Sequence, residues 1–131
     1  MEQRNTQEIS LEEFAQKYLD FFEHTAADDR EMYGFLDDMT FPDECWGLGF
    51  EMDCGHSFIE TCGEDAWRSV DGLQRVVDSI NDVKLLGSAI FSQWRYFNHW
   101  AGSGLKEEDR EWFIVMLRRL KHLSEEKLTD N

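Results

Sequence analysis

The amino-acid sequence predicts an all-α fold: a compact single domain of about five or six helices with an irregular, glycine-containing middle segment. Apolar residues recur at helical spacing in four stretches, and each stretch begins near a residue that can cap a helix. The chain has 131 residues, of which 41% are hydrophobic, and this is enough to build one sizeable core. One proline and nine glycines are too few for a linker or a low-complexity chain.

Two helices are predicted before residue 42. Ser10 and Glu13 form a capping box, which predicts a first helix over about residues 11–24, and residues 1–9 are expected to form a flexible tail. Asp28 or Asp29 caps a shorter second helix, which ends before Pro42 because the residue before a proline avoids helical angles. The apolar residues of these helices are Leu11, Phe14, Ala15, Tyr18, Leu19 and Phe22, then Met32, Tyr33, Phe35 and Leu36.

The middle segment, residues 42–66, has no clear period. Pro42-Asp43-Glu44 resembles the first turn of a helix, where proline is tolerated. Four glycines then divide the segment into short pieces, and "LGFEMDCG" fits either a helix end or a short strand. Irregular structure with short helical turns is the preferred prediction.

Three helices are predicted after the middle segment. Asp71 is predicted to cap one that carries Leu73, Val76, Val77 and Ile80 on a single face. Asn81-Asp82 begins a second, which reaches about residue 101, where Gly102-Ser103-Gly104 would end it. The last helix is predicted from about residue 106 to 127, with acids early and bases late as the helix dipole favours. Its buried stripe is Trp112 or Phe113, Met116, Leu117, Leu120 and Leu123.

The aromatic stretch "FSQWRYFNHW", residues 91–100, is predicted to be mainly the spine of a core helix. At about 100° per residue, one buried face forms while Arg95 and His99 point the opposite way. Tyr96 and Trp100 stand four residues apart on the border of that face, so they are candidates for a recognition surface. The predicted buried face consists of Val83, Leu86, Ile90, Trp94 and Phe97.

The formal charge of −15 lies entirely in the first half of the chain. Residues 1–66 contain eighteen Asp and Glu but three Lys and Arg, whereas residues 67–131 contain ten of each sign. Such a field repels nucleic acids and anionic membranes, so direct binding to either is not expected. It favours a basic protein partner, although solubility alone is an equally simple explanation.

Three cysteines and one histidine fall within eighteen positions: Cys45, Cys54, His56 and Cys62. They could in principle close a structural zinc site, or pair a thiol nucleophile with a base. The segment lacks the tight C-x2-C or C-x4-C spacing of zinc sites, however, so partly buried free thiols are the preferred interpretation and no metal or cofactor is predicted. An odd number of cysteines and no apolar N-terminal run favour a cytoplasmic protein.

Two segments, "CWGLGFEMDCGHSFIE" and "LLGSAIFSQWRYFNHWA", resemble a group of small, acidic, uncharacterised bacterial proteins. The resemblance covers about residues 41–101 and brings no activity or catalytic residues with it. In size and acidity, the chain is similar to immunity proteins, which neutralise toxins by binding them directly.

These observations favour a non-enzymatic, immunity- or antitoxin-like inhibitor whose acidic half binds a basic partner, with a toxin or a nucleic-acid-binding enzyme as candidates. No catalytic motif supports an enzyme. The alternatives are a phage-type mimic of nucleic acid that inhibits a defence enzyme, a metal protein or enzyme built on the Cys/His cluster, and a structural or regulatory module. The candidate contact residues are Asp28, Asp29, Asp37, Asp38, Glu44, Glu51, Asp53, Tyr96 and Trp100.

Overall fold

The computed structural model describes residues 9–99 and 105–129, and it confirms the all-α class. Within these ranges the chain forms eight helices and no strand. None of these helices is both long and apolar enough to cross a bilayer. The helices are α1 (Leu11–His24), α2 (Arg30–Asp37), α3 (Thr40–Gly47), α4 (His56–Cys62), α5 (Glu64–Arg68), α6 (Val70–Val76), α7 (Val83–His99) and α8 (Glu107–Thr129).

The count of eight exceeds the predicted five or six because the middle of the chain is more helical than its glycines indicated. Residues 40–68 contain three short helices, separated by the loop 48–55 and by Gly63. Gly63 adopts φ +97°, a conformation that glycine reaches without a steric penalty, so it can end α4 and begin α5 within one residue. The loop 48–55 contains "LGFEMDCG" and is irregular, as preferred from the sequence.

Helix starts follow the predicted capping residues with one exception. Ser10 and Glu13 form both hydrogen bonds of the capping box, and Asp29 caps α2 by accepting a hydrogen bond from the N–H of Glu31. The prediction of Asp71 as a cap is wrong: Ser69 has the extended backbone of an N-cap, and its hydroxyl accepts the N–H of Gly72 at 2.9 Å. Asp71 lies instead in the first turn of α6.

α7 lies at the centre of the fold and contacts α2, α3, α4 and α8. As predicted, Leu86, Ile90 and Trp94 are buried, whereas Arg95 and His99 are exposed. Val83 and Phe97, at the margins of the predicted face, are only half-buried. The predicted stripe of α8 is also buried, including both Trp112 and Phe113. The predicted helix end at residues 102–104 lies outside the described residues, as does nearly all of the predicted N-terminal tail.

α2 and α3 are held on one side of α7 by hydrogen bonds and aromatic packing. The indole N–H of Trp94 donates to the carbonyl of Phe35 at 3.0 Å, and the amide of Asn98 donates to the carbonyl of Leu36 at 2.8 Å. Both carbonyls lie in the last turn of α2, and that of Phe35 also accepts the backbone N–H of Asp38 at 3.2 Å. Phe41 of α3 packs on Trp94 with ring centroids 5.5 Å apart. The two short helices are therefore fixed on a rigid support.

The loop 48–55 crosses the outer surface of α7. The backbone N–H of Glu51 donates to the hydroxyl of Ser88 at 2.8 Å, and that of Asp53 donates to the hydroxyl of Ser92 at 3.2 Å. Phe50 packs so closely that a Cβ atom on Gly87 would lie 2.2 Å from its ring. Gly87 thus makes the close approach of loop and helix possible.

Candidate protein-binding surface

The most exposed apolar residues of the N-terminal half lie on α2 and α3. Tyr33, Met39 and Trp46 are 44%, 61% and 54% exposed, respectively. Large apolar side chains that remain this accessible are typical of contact surfaces, where Tyr, Trp and Met are enriched. We refer to the outward surface of residues 28–46 as the α2–α3 face.

The helical phase explains why these residues point outward. On α2, the buried face is Met32, Phe35 and Leu36. The opposite stripe, at spacings of three and four residues, consists of Arg30, Tyr33, Gly34 and Asp37, all exposed.

The helical period also explains which residues of α3 point outward. Its buried residues are Phe41, Pro42, Glu44 and Cys45. Met39, Asp43 and Trp46 share the outward side, where the Trp46 ring rests edge-on against Phe91 at 5.4 Å.

Four predicted contact residues lie on the α2–α3 face or at its edge. Asp28, Asp29, Asp37 and Asp38 are all exposed. Two of them also stabilise helix starts, since Asp29 caps α2 and a carboxylate oxygen of Asp38 accepts the N–H of Thr40 at 2.9 Å. These hydrogen bonds fix the positions of the carboxylates while their charges remain at the surface.

The α2–α3 face also carries a run of acids that form no ion pair within the described part of the chain. Four acids of the first half, Glu23, Glu51, Glu64 and Asp65, form ion pairs with bases of the second half. By contrast, none of the six acids from Asp28 to Asp43 forms an ion pair in the described part of the chain. The only base in that stretch is Arg30. The face thus holds six unpaired acids of the first half, and four further exposed acids without an ion pair lie on α1 and α4: Glu12, Glu13, Asp20 and Glu60.

Glu44 does not present its charge to solvent, contrary to the prediction that it contributes to a contact surface. Its residue is 4% exposed, and its carboxylate accepts hydrogen bonds from the ammonium of Lys17 at 2.9 Å and from the hydroxyl of Tyr18. Burial and the bond to Glu44 both raise the pKa of Tyr18, so the phenol remains a donor. Glu44 is therefore part of an internal network that joins α1 to α3.

Glu51 and Asp53 lie in the loop 48–55, outside the α2–α3 face. Exposed Glu51 pairs with Lys84 at 3.1 Å. Asp53 is half-buried, and its carboxylate accepts the N–H groups of Gly55 and Ser57. Burial opposes ionisation, but the hydrogen bonds from Ser57, Gly55 and Ser92 outweigh it and hold the pKa of Asp53 below its usual value. Asp53 is thus largely committed to shaping the start of α4.

Tyr96 is 55% exposed and packs edge-on against Phe97 with centroids 5.2 Å apart. Its predicted partner Trp100 lies outside the described residues. At 100° per residue, Tyr96 faces a different side of α7 from Phe91, against which Trp46 packs. Tyr96 and Trp46 are thus separate exposed aromatic positions.

The cysteines and His56 differ in their surroundings. Cys45 is buried, Cys54 is exposed at φ +61°, and Cys62 is intermediate. Burial, with the charge of Glu44 beside it, raises the pKa of Cys45, and burial also raises that of Cys62. Among the described residues, no three His, Cys, Asp or Glu side chains converge to hold a metal ion.

A broad groove of about 1080 Å³ runs between the loop 48–50, the start of α7 and the end of α8. Its charged residues already have partners: Lys84 pairs with Glu51, Asp82 accepts the N–H of Leu85, and Glu126 pairs with His122. The lining residues include no cysteine or histidine. The one hydroxyl in the lining, that of Ser79, donates to the carbonyl of Val76 at 2.7 Å.

Sequence reasoning missed Tyr33, Met39 and Trp46 as surface residues. For Tyr33 the sequence contained the signal of exposure, since helical spacing places this residue off the face formed by Met32, Phe35 and Leu36. For Met39 and Trp46 it was obscured, because α3 begins at Thr40 rather than at the proline that marked its predicted first turn.

No protein-family model, curated protein or solved structure matches this chain. Function is therefore inferred from the surface chemistry of the chain itself.

Proposed function

We propose that this protein is a non-enzymatic, protein-binding inhibitor of the immunity or antitoxin type, and that its acidic half binds a basic partner. The single observation that carries this proposal is the set of six acids between Asp28 and Asp43, none of which is ion-paired in the described part of the chain. These acids surround Tyr33 and Met39, which expose apolar surface.

Charge of this kind acts on a partner before contact. A field of one sign increases the rate at which an oppositely charged protein associates and disfavours partners of like charge. Enzymes that act on nucleic acids present basic surfaces to phosphates. An acidic inhibitor can use those same basic groups, which is why a nuclease toxin or another nucleic-acid-binding enzyme is the partner class we favour.

Folding itself does not require this arrangement. Like charges close together on a surface destabilise the compact state through repulsion. The bases of the second half neutralise acids elsewhere, at Glu23, Glu51, Glu64 and Asp65, while the acids of the α2–α3 face remain without such partners. A partner that supplies positive charge would relieve this repulsion.

The experiment is affinity capture from the cells that produce the protein, with three forms of the full chain as bait. The first is the natural chain, and the second is the α2–α3 charge variant, Asp28→Asn/Asp37→Asn/Asp38→Asn. The third is a control, Asp71→Asn/Asp78→Asn/Glu111→Gln, which removes the same charge from exposed positions on α6, the turn after it and α8. Asn can replace Asp38 as a cap, so local structure is preserved.

We expect the natural chain and the control to retain a basic protein that the α2–α3 charge variant loses. Addition of the purified natural chain should then inhibit the activity of that protein. Capture of the same proteins by all three baits, or a captured partner whose activity the chain leaves unchanged, would contradict the proposal.

A further inference from the structure

The α2–α3 face combines exposed acids with exposed apolar side chains, and the exposed stripe of α2 has a gap at Gly34. Gly34 lies in the exposed stripe of α2, beside Tyr33, and a Cβ atom built on it meets nothing within 4 Å. Glycine inside a helix is destabilising relative to alanine because it loses more backbone freedom on folding. No close packing within the described chain requires a glycine here, in contrast to Gly87.

We infer that the α2–α3 face is the binding site itself: a Lys/Arg-rich protein segment packs over the gap at Gly34 and uses the exposed rings of Tyr33 and Trp46 as anchors. This inference rests on the proposed function and assigns it a location. Aromatic rings bind Lys and Arg cations through their π faces, and Tyr, Trp and Met provide the apolar contact area of binding hot spots. Asp37, Asp38 and Asp43 supply the complementary charges.

The negative charge of the α2–α3 face determines what kind of partner can bind there. A second copy of this chain would bring a net charge of −15 toward the same acidic face. The segments outside the described residues, 1–8, 100–104 and 130–131, have no net positive side-chain charge. Neither therefore complements the α2–α3 face, whereas a basic segment of another protein does.

The anchors are on a rigid support, which limits the entropy lost on binding. Trp94 and Asn98 hold the end of α2, and Trp46 rests on Phe91. Surfaces that are already ordered lose less free energy when they bind than surfaces that must become ordered first.

The test uses a phage-displayed library of random twelve-residue peptides as the probe, selected on the immobilised full chain. The recovered peptides are then synthesised and titrated against four variants. Trp46→Ala removes an anchor, and Gly34→Gln fills the gap without changing the charge. Their matched controls are Met52→Ala, which removes an exposed apolar side chain from the loop 48–55, and Thr61→Gln, which adds the same amide side chain on the exposed face of α4.

We expect recovered peptides with net positive charge, bound about tenfold more weakly by Trp46→Ala and by Gly34→Gln. The two control variants should bind within about twofold of the natural chain, the range typical of residues outside a hot spot. Gly34→Gln is decisive because it replaces a helix glycine with a better helix former. Its melting temperature should be equal to or above that of the natural chain, so that weaker binding cannot result from unfolding.

The failure of this inference differs from the failure of the proposed function. Basic peptides whose affinity is unchanged by Trp46→Ala and Gly34→Gln would overturn the location and leave the proposed function standing. Recovery of no peptide, or only of peptides without net positive charge, would contradict both. A dimer in sedimentation that Trp46→Ala dissociates would also overturn the inference, because a second copy would then occupy the face.

Discussion

At the scale of single residues, Glu44 shows why a charge counted in the sequence is not always a surface charge. Its carboxylate is buried and accepts hydrogen bonds from Lys17 and Tyr18, which lie 27 and 26 residues earlier in the chain. A buried carboxylate requires such partners, because water no longer solvates it. This pairing cannot be predicted from the sequence, since the partners meet only after α1 and α3 have packed.

Capping residues could be predicted from the sequence because their partners are near in the chain. The bonds of Ser10 and Glu13 join residues three apart, and Asp29 bonds to a residue two away. Ser69 and Asp71 both suit a helix start, and the choice between them depends on where the preceding helix α5 ends. The local sequence thus predicts where a helix begins more reliably than it predicts which residue caps that helix.

A change of one hydroxyl tests the internal role of Glu44. Tyr18→Phe removes a hydrogen bond to a buried carboxylate, so we expect the free energy of unfolding to fall by about 1.5–3 kcal/mol. Tyr33→Phe is the control, because the exposed hydroxyl of Tyr33 has no hydrogen-bond partner among the described residues, and its effect should be below about 0.5 kcal/mol. Urea denaturation measures both. Equal effects would show that Glu44 does not depend on Tyr18.

At the scale of helices, the same substitution should have opposite effects at two glycines. Gly34→Ala on α2 enters open space, so we expect it to stabilise the fold by about 0.5–1 kcal/mol. Gly87→Ala on α7 places a Cβ atom against the ring of Phe50, so we expect it to destabilise the fold by about 1–3 kcal/mol. Thermal unfolding of both variants measures the difference. Stabilisation by Gly87→Ala would mean that the loop 48–55 does not pack closely on α7.

The long helices and the capped helix α2 could be predicted from the sequence, whereas α4 and α5 could not. α1, α7 and α8 each sustain a helical period over fourteen or more residues. α4 and α5 have seven and five residues, too few to display a period, and glycines adjoin both. Their stability comes from tertiary packing, including that of Phe58 and Trp67 against Trp112 of α8. The exposed side of α3 could not be assigned without its observed start.

At the scale of the whole molecule, the sequence predicted an acidic half, and the fold shows which acids of that half form ion pairs with the second half. Pairs such as Arg118 with Glu23 and Arg75 with Asp65 join residues far apart in the chain, so only the fold reveals them. The stretch 28–43 retains its full charge and lies beside three exposed apolar side chains. The proposed binding surface therefore depends on where the ion pairs form, which composition alone does not reveal.

The most direct test of this account measures the association rate between the chain and its captured partner over a range of salt concentrations. The screening length falls from about 10 Å at 0.1 M salt to about 3 Å at 1 M. We expect the rate for the natural chain and for Asp71→Asn/Asp78→Asn/Glu111→Gln to fall steeply with salt. The rate for Asp28→Asn/Asp37→Asn/Asp38→Asn should be lower at low salt and depend less on salt. Rates that are indifferent to salt, or equal losses for the two variants, would contradict the assignment of binding to the α2–α3 face.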